Sequence, residues 1–265
     1  MAMERLDVYL VNHGHFESRE KAKMEILCGN VLVNEKRLKP SDKVKEGSYI
    51  RVISKMPFVS RGGYKLKKAI DVWGLDFTDK VSIDIGASTG GFTDVMLQNG
   101  AKHVFSVDVG YGQLHYKLRN DDRVTSMERC NARTLTTDMF GQKLDIATMD
   151  VSFISILLIF PVLKDILTED GKVMALIKPQ FEASREKVGK NGVVREKSTH
   201  IEVIEKIIEG AKEFGLYCKK IDFSPIKGPE GNIEFISLFD FHEDDTVIDV
   251  KQIVENAHND SFSAV

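Results

Sequence analysis

The motif DIGASTGGF, residues 84–92, follows the apolar run Val81–Ile85 and opens a stretch with helical periodicity over 92–98. A strand that turns on glycines into a helix is the ligand-handling corner of a doubly wound α/β sheet, where small molecules lie outside the carboxyl ends of the strands. The loop is not the dinucleotide fingerprint. Ser88 stands where the second glycine belongs, and the next glycines are Gly90 and Gly91, so the turn that receives a pyrophosphate is absent. S-adenosylmethionine has no phosphates and carries a sulfonium, an ammonium, a carboxylate and a ribose diol. Gly86, Ala87, Ser88, Gly90, Gly91 and Phe92 would let its methionine part approach the backbone, and Asp84 would balance its positive charge. Asp108, 24 residues after Asp84, would accept the ribose hydroxyls beside Val109. A tight turn with a capping aspartate is the other reading.

The rest of the chain supports a parallel sheet. From Tyr64 onward the pattern predicts a helix to Trp73, strands over 81–85, 103–108, 144–149 and 172–177, and helices over 92–98 and 154–167. A helix over 199–214 and a closing strand pair over 216–224 and 232–240 complete it. Such alternation implies helices on both faces of the sheet. Upstream, residues 5–13 predict a helix with Leu6, Tyr9 and Leu10 on one face and Gly14 as its stop. A second helix is expected after Ser18 as N-cap, with Ala22, Ile26 and Leu27 inward and Gly29 as its end. Short β-like runs at 31–34 and 49–53 flank the lysine-rich stretch 35–47. Lys55 to Gly63, with Pro57 and paired glycines, reads as a boundary. The expected division is a small α+β unit over 1–56, a linker over 57–63, and a large α/β unit over 64–265.

Charge is distributed unevenly between these parts. Residues 1–68 hold 15 Lys and Arg against 8 Asp and Glu, although the whole chain has a net charge of -3. A local basic patch attracts a phosphate backbone whatever the total; a solvated face is the alternative. Other classes are excluded by composition. With 42% hydrophobic residues in 265, the chain can bury a core. Its longest nearly unbroken apolar run, 153–163, is interrupted by Ser155 and Pro161 and is short of the ~20 residues that span a bilayer. The opening MAMERLDVYL has charges where a secretory signal would be apolar, and three scattered cysteines suggest neither a disulfide framework nor a zinc knuckle. A cytoplasmic protein is expected. Its seven histidines show no metal-ligand spacing beyond a helix-end pair, so no metal is expected.

Two charged residues stand at the carboxyl ends of successive predicted strands: Asp150 in MDVSF and Lys178 in LIKPQF. Strand, helix, strand separates them, which makes them neighbours above the sheet. A lysine so placed is partly desolvated, which lowers its pKa unless an adjacent aspartate restores it, a useful arrangement beside an alcohol nucleophile. Simple surface charges are the alternative.

The runs SRGGYKL (60–66), DIGASTGGF, MDVSFIS, LIKPQFE and GNIEF together resemble the TlyA family of ribosomal RNA 2′-O-methyltransferases, over nearly the whole chain. The amino-terminal unit is similar to the alpha-L RNA-binding motif of the small-subunit ribosomal protein four, and the larger unit resembles the FtsJ group. The resemblance implies a Rossmann-like methyltransferase sheet, S-adenosylmethionine as methyl donor, and ribosomal RNA or ribosomal subunits as partner rather than a membrane. It also implies a Lys-Asp-Lys-Glu tetrad, which falls on Lys65, Asp150, Lys178 and Glu234, and it puts Asn131 where related enzymes often have an acid against the adenine, a place where an amide can still hydrogen-bond. Lys178 would orient and help deprotonate a ribose 2′-hydroxyl of cytidine, Asp150 would hold its ammonium, and Lys65 and Glu234 would complete the network. RNA would be met by Arg5, Arg19, Lys21, Lys23, Lys36, Arg37, Lys39 and Arg61. Gly62 and Gly63 are expected to make the start of the catalytic helix flexible. The loop 182–195, with Arg185, Lys187, Lys190 and Arg195, reads either as a substrate clamp or as a mobile surface loop. Family members are also often labelled hemolysins, so a membrane-active cytolysin is one alternative function. A catalytically silent RNA-binding assembly factor is the other. The oligomeric state is left open.

Overall fold

The structure is a computed structural model that describes residues 3–27, 30–52, 57–228 and 230–262. The chain divides into two compact units, 1–57 and 58–265. In the first, β1 (Met3–Arg5) leads into α1 (Leu6–Asn12) and α2 (Arg19–Leu27), followed by β2 (Val31–Val33), β3 (Lys43–Lys45) and β4 (Ile50–Val52). β1 pairs antiparallel with β3, and β2 with β4. Leu6, Tyr9, Leu10, Ala22, Ile26, Val31, Val33 and Val44 form its core. Gly14 has φ +74°, as a helix stop requires, and Ser18 Oγ accepts the Lys21 N–H at the entrance to α2. Two expectations change here. Leu27 is 66% exposed rather than inward. The stretch 35–47 contains β3, which needs only Val44 as its inward residue. The expected ends at Gly29 and Ile53 lie outside the described residues.

The second unit begins before the predicted helix. Phe58 is buried, and the Val59 N–H donates to Asp94, so residues 58–62, expected as linker, pack within this unit. Then follow α3 (Gly63–Trp73), β5 (Val81–Ile85), α4 (Gly91–Gln98), β6 (His103–Val107), α5 (Tyr116–Arg119), β7 (Val124–Met127), β8 (Leu144–Met149), α6 (Phe160–Ile166), β9 (Leu167–Ile177), α7 (Pro179–Glu182), α8 (Lys197–Lys212), β10 (Tyr217–Phe223), β11 (Phe235–Asp240) and α9 (Val250–Asn259). Seven strands form one sheet in the order β10-β11-β9-β8-β5-β6-β7, with β11 antiparallel to both its neighbours. Period-two alternation divides the sheet's side chains between two layers. Val173, Ala175 and Ile177 meet α6, α8 and α9, while Met174 and Leu176 meet α3 and α4. The doubly wound α/β fold inferred from the sequence is therefore present.

Local differences have local causes. The predicted helix 154–167 is a 3₁₀ turn at Ile156–Leu158 followed by α6, with Pro161 in the first turn of α6. Proline has no N–H to give a preceding turn, so it starts a helix more readily than it continues one. α9 was not anticipated. Its inward face is Val250, Val254 and Ala257, with Ile253 partly buried beside them, in an otherwise polar run, and Asp249 is its N-cap. β7, Val124–Met127, was also unexpected; none of its residues is fully buried.

Candidate active site

Chain direction brings the site together. β5, β8 and β9 run parallel, so the Gly86 loop, Asp150 and Lys178 all emerge at one edge. β11 runs the opposite way, and Glu234, just before it, therefore starts at that same edge; Phe235 is paired with Ile177. Lys65 reaches in from the first turn of α3.

The four charged side chains form one connected array. Lys178 Nζ lies 2.5 Å from Asp150 Oδ1, Lys65 Nζ lies 3.3 Å from Asp150 Oδ2, and Lys65 Nζ donates to Glu234 Oε2 at 2.7 Å. Lys178 also donates to Ser152 Oγ at 3.1 Å, and Gln180 Nε2 to Glu234 Oε1 at 3.1 Å. All four are largely buried, Glu234 most of all with 1% of its side chain exposed. Burial by itself would lower the Lys65 pKa, but Asp150 and Glu234 outweigh it and the net shift is upward. For Asp150 burial pushes upward, and the attraction of Lys65 and Lys178 overrides it, holding the carboxylate below its usual range. Buried ion pairs roughly break even in stability; what this array secures is position.

Gly62 and Gly63, expected to loosen the start of α3, have local structural roles. A Cβ at Gly63 would stand 2.6 Å from the Phe58 ring, so close packing accounts for that glycine, and Gly62 is helical in conformation. Lys65 is held by two carboxylates.

The glycine loop sits beside this array. Gly86 has φ +83°, and a Cβ there would lie 2.7 Å from the Asp150 carbonyl oxygen; only glycine suits both conditions. Asp84 is 1% exposed. Its Oδ2 accepts the Thr93 N–H and hydroxyl at 2.9 and 2.7 Å, while its Oδ1 is buried with no hydrogen-bond partner among the described residues. Burial pushes this carboxyl up to about 7, against the pull of the Thr93 bonds.

Two cavities open along the edge. One, of about 800 Å³, is lined by Lys65, Asp84, Ala87, Gly91, Phe92, Lys178 and Glu234 among others. The second, of about 490 Å³, is lined by Asp108, Val109, Asn131 and Cys130. Gly86, Ser88, Asp150, Ser152 and Phe153 line both. Asp108 already accepts the Ser88 and Gly110 N–H groups at 2.8 and 2.7 Å, one on each oxygen, and a carboxylate retains further lone pairs for hydroxyl donors. A buried carboxylate oxygen unpartnered among the described residues, a glycine loop packed closely on the Asp150 carbonyl, and a second acidic residue at the end of the adjacent strand β6 suit a cationic nucleoside such as S-adenosylmethionine.

The other candidates lie elsewhere. Arg61 is exposed and lines neither cavity. In the first unit, Asp7 is 1% exposed and accepts Arg5 at 3.0 and 3.1 Å and Arg19 at 2.9 Å. The Arg5 hydrogen bond is the chief cause that holds the Asp7 carboxyl down to about 2. Arg5 and Arg19 are thus structural braces as well as surface cations. Lys21 pairs with Glu17, and Lys23, Lys36, Arg37 and Lys39 are exposed. With the boundary at 57, this unit holds 11 Lys and Arg against 8 Asp and Glu, a smaller excess than the first 68 residues suggest. In the 182–195 loop, Lys187 pairs with Glu202, while Asn191 and Gly192 line the larger cavity.

Reading from the sequence missed Ser60, Ser152, Phe153, Gln180, Phe181 and Asn232, all in the larger cavity wall. Each belongs to a motif already noted, which was the available signal. Among the described residues no three His, Cys, Asp or Glu side chains gather to hold a metal, and no helix is long and apolar enough to cross a membrane.

Comparison with known proteins agrees with this geometry. Residues 58–241 match the FtsJ-like methyltransferase family, and residues 4–50 match the S4 domain. YqxC of Bacillus subtilis, named as a candidate rRNA methyltransferase, is 51% identical over 88% of this chain and 84% of its own. The 16S/23S rRNA (cytidine-2′-O)-methyltransferase TlyA of Mycobacterium tuberculosis is 38% identical over 87% of each chain. A solved structure from Streptococcus thermophilus, named as a candidate hemolysin, is 48% identical, covers 97% of this chain and 96% of its own, and superposes with a TM-score of 0.76. With the match spanning the whole sheet and the relatives sharing both units, this chain belongs to the FtsJ-like methyltransferases, in the S4-bearing TlyA family.

Proposed function

We propose that this protein transfers a methyl group from S-adenosylmethionine to a ribose 2′-hydroxyl, that of a cytidine, in ribosomal RNA. The observation that carries this reading is the Lys65-Asp150-Lys178-Glu234 array facing a cavity that shares its wall with the glycine loop. The relatives' names supply the RNA and the nucleoside.

S-adenosylmethionine, when bound, supplies a methyl group already activated by its sulfonium. What the chain must add is alignment and help with the proton of a very weakly acidic hydroxyl. Lys178 is the group for that hydroxyl. Asp150 and Ser152 hold its Nζ in place; as an amine it would accept the hydroxyl proton while the oxygen takes the methyl group, and the ammonium so formed would stay paired with Asp150. Lys65 lies on the far side of Asp150 and keeps that carboxylate ionised, and Glu234 holds Lys65 in turn. Asp84 and the backbone at Gly86 would hold the methionine part; Asp108, Val109 and Asn131 would hold the nucleoside. The first unit would bind RNA, and the protein would work on ribosomal subunits in the cytoplasm.

The test is methyl incorporation into ribosomal RNA with labelled donor, and mapping of 2′-O-methylated cytidines with and without the protein. Lys178→Ala and Asp150→Ala should remove incorporation while calorimetry still shows donor binding. RNA binding with no incorporation by the unaltered protein would replace this reading with a silent assembly factor. Lysis of erythrocytes that persists in Lys178→Ala would point to the cytolysin.

A further inference from the structure

Glu182 ends α7, four residues after Lys178, and is 5% exposed. Its Oε1 accepts the backbone N–H of Ile156 at 2.8 Å. Its Oε2 is buried with no hydrogen-bond partner among the described residues. Burial raises the pKa of its carboxyl, even though Ser155, Ile156 and Lys206 pull the other way. Its bonding reaches Ser155 and Ile156 on the chain that leaves β8, and a buried carboxylate costs stability unless such bonds have a use.

The bond to Ile156 closes a seam between two segments at the sheet edge. The chain leaving β8 and the chain leaving β9 run side by side, tied in register by Asp150 to Lys178, Ser152 to Lys178, Phe153 to Phe181 with ring centroids 4.9 Å apart, and Ile156 to Glu182. The first three ties border the larger cavity. The fourth does not, since neither Ile156 nor Glu182 lines it.

The segment that is held needs fixed ends. Phe153 is 89% exposed and has φ +64°, a conformation that a non-glycine residue keeps only under constraint from its surroundings. At the amino-terminal end, the Asp150 N–H donates to the Ile85 carbonyl at 3.0 Å. At the other end Glu182 caps the 3₁₀ turn Ile156–Leu158, which Ser155 begins. Glu182 is itself anchored, because its carbonyl accepts Lys206 Nζ of α8 at 3.0 Å.

We propose that Glu182 is a positioning residue: its carboxylate fixes the carboxyl end of the 151–155 segment and so sets Asp150 and Ser152 against Lys178. The catalytic consequence rests on the methyl-transfer reading; the structural tie does not. Glu182 touches no reactant and acts only through the segment it holds.

The experiment compares full-length Glu182→Ala and Glu182→Gln with the unaltered protein by amide hydrogen exchange and single-turnover methylation at saturating RNA and donor. Alanine leaves the Ile156 N–H buried and unpaired, whereas glutamine keeps a carbonyl acceptor at the same reach. Expected for Glu182→Ala is about tenfold faster exchange at Ile156 and a single-turnover rate lowered ~10–100-fold, because displacements near 1 Å suffice for such losses. The RNA concentration giving half the maximal rate should move less than about threefold, and Glu182→Gln should return the rate to within about threefold of the original. Val254→Ala, which truncates the core under α9 and touches none of the four ties, controls for lost stability and should keep the original rate well below its melting temperature. An unaltered rate in Glu182→Ala, or Glu182→Gln as slow as alanine, overturns the proposal. If the unaltered protein methylates no RNA, the functional reading fails, and Ile156 exchange still decides the tie: no change in Glu182→Ala overturns it.

Discussion

Lys65 and Glu234 are 169 residues apart in the chain, yet their charged atoms are 2.7 Å apart. The contact joins the first turn of α3 to the residue before β11, and both side chains are almost wholly buried. Removing one partner leaves the other charged and buried without it. Glu234→Ala should therefore lower unfolding stability by about 3 kcal/mol, the lower end of what breaking such a pair costs, since Lys65 keeps Asp150. The double variant Lys65→Met with Glu234→Leu should lose much less, because neither charge remains to be desolvated. Urea unfolding of Lys65→Met, Glu234→Leu and the double variant measures the coupling; a double loss equal to the sum of the two single losses would mean that the pair is not coupled.

Donor binding should release protons. The Asp84 carboxyl has its pKa pushed up to about 7 by burial, so below that pH it is mostly protonated in the free protein. A sulfonium or ammonium beside Oδ1 favours the ionised form, and linkage then requires proton loss on binding. Calorimetry at pH 6 in buffers of different ionisation enthalpy should show up to one proton released, with affinity rising as the pH passes 7 and levelling above it. Asp84→Asn should abolish the buffer dependence. The same shift has a sign for stability. A carboxyl pKa raised by folding favours the folded state below the unfolded value, and that contribution is lost as the pH rises through 7.

Gly86→Ala tests the loop where it meets the array. A methyl group there requires φ +83° for a non-glycine residue and stands 2.7 Å from the Asp150 carbonyl. The strain should cost on the order of 1–3 kcal/mol, or displace Asp150. Thermal unfolding should show the first outcome and lost methyl transfer the second; an alanine variant with the original melting temperature and rate would contradict both.

RNA affinity should respond to charges in the first unit that do no structural work. Arg5 and Arg19 brace Asp7, so replacing them mixes binding with folding. Lys36, Arg37 and Lys39 are exposed between β2 and β3. Changing these three to Gln should weaken RNA binding and reduce the slope of log affinity against log salt by about 0.7–0.9 for each phosphate no longer neutralised. The single-turnover rate at saturating RNA should stay the same. An unchanged slope would move the RNA anchor elsewhere.

How far the site was legible follows from where its residues sit. Asp84, Gly86, Asp150 and Lys178 stand at the ends of apolar runs, and a parallel sheet gathers such ends at one edge, so local pattern was enough to group them. Lys65 and Glu234 carry no such mark. They were reached only through resemblance, because one lies inside a helix and the other before an antiparallel strand. Glu182 was read as the start of a basic loop, since nothing in its neighbours shows that it is buried.

Periodicity and glycine placement in the sequence by itself determined the parallel sheet, its two helical layers, the ligand edge and the absence of a dinucleotide turn, because each depends on the conformations of adjacent residues. Tertiary structure alone decided that Gly63 packs against Phe58, that four of the amino-terminal basic residues belong to the second unit, and that Asp84 has an oxygen with no partner among the described residues. Those outcomes depend on burial and on distances between segments far apart in the chain, quantities that no local window contains.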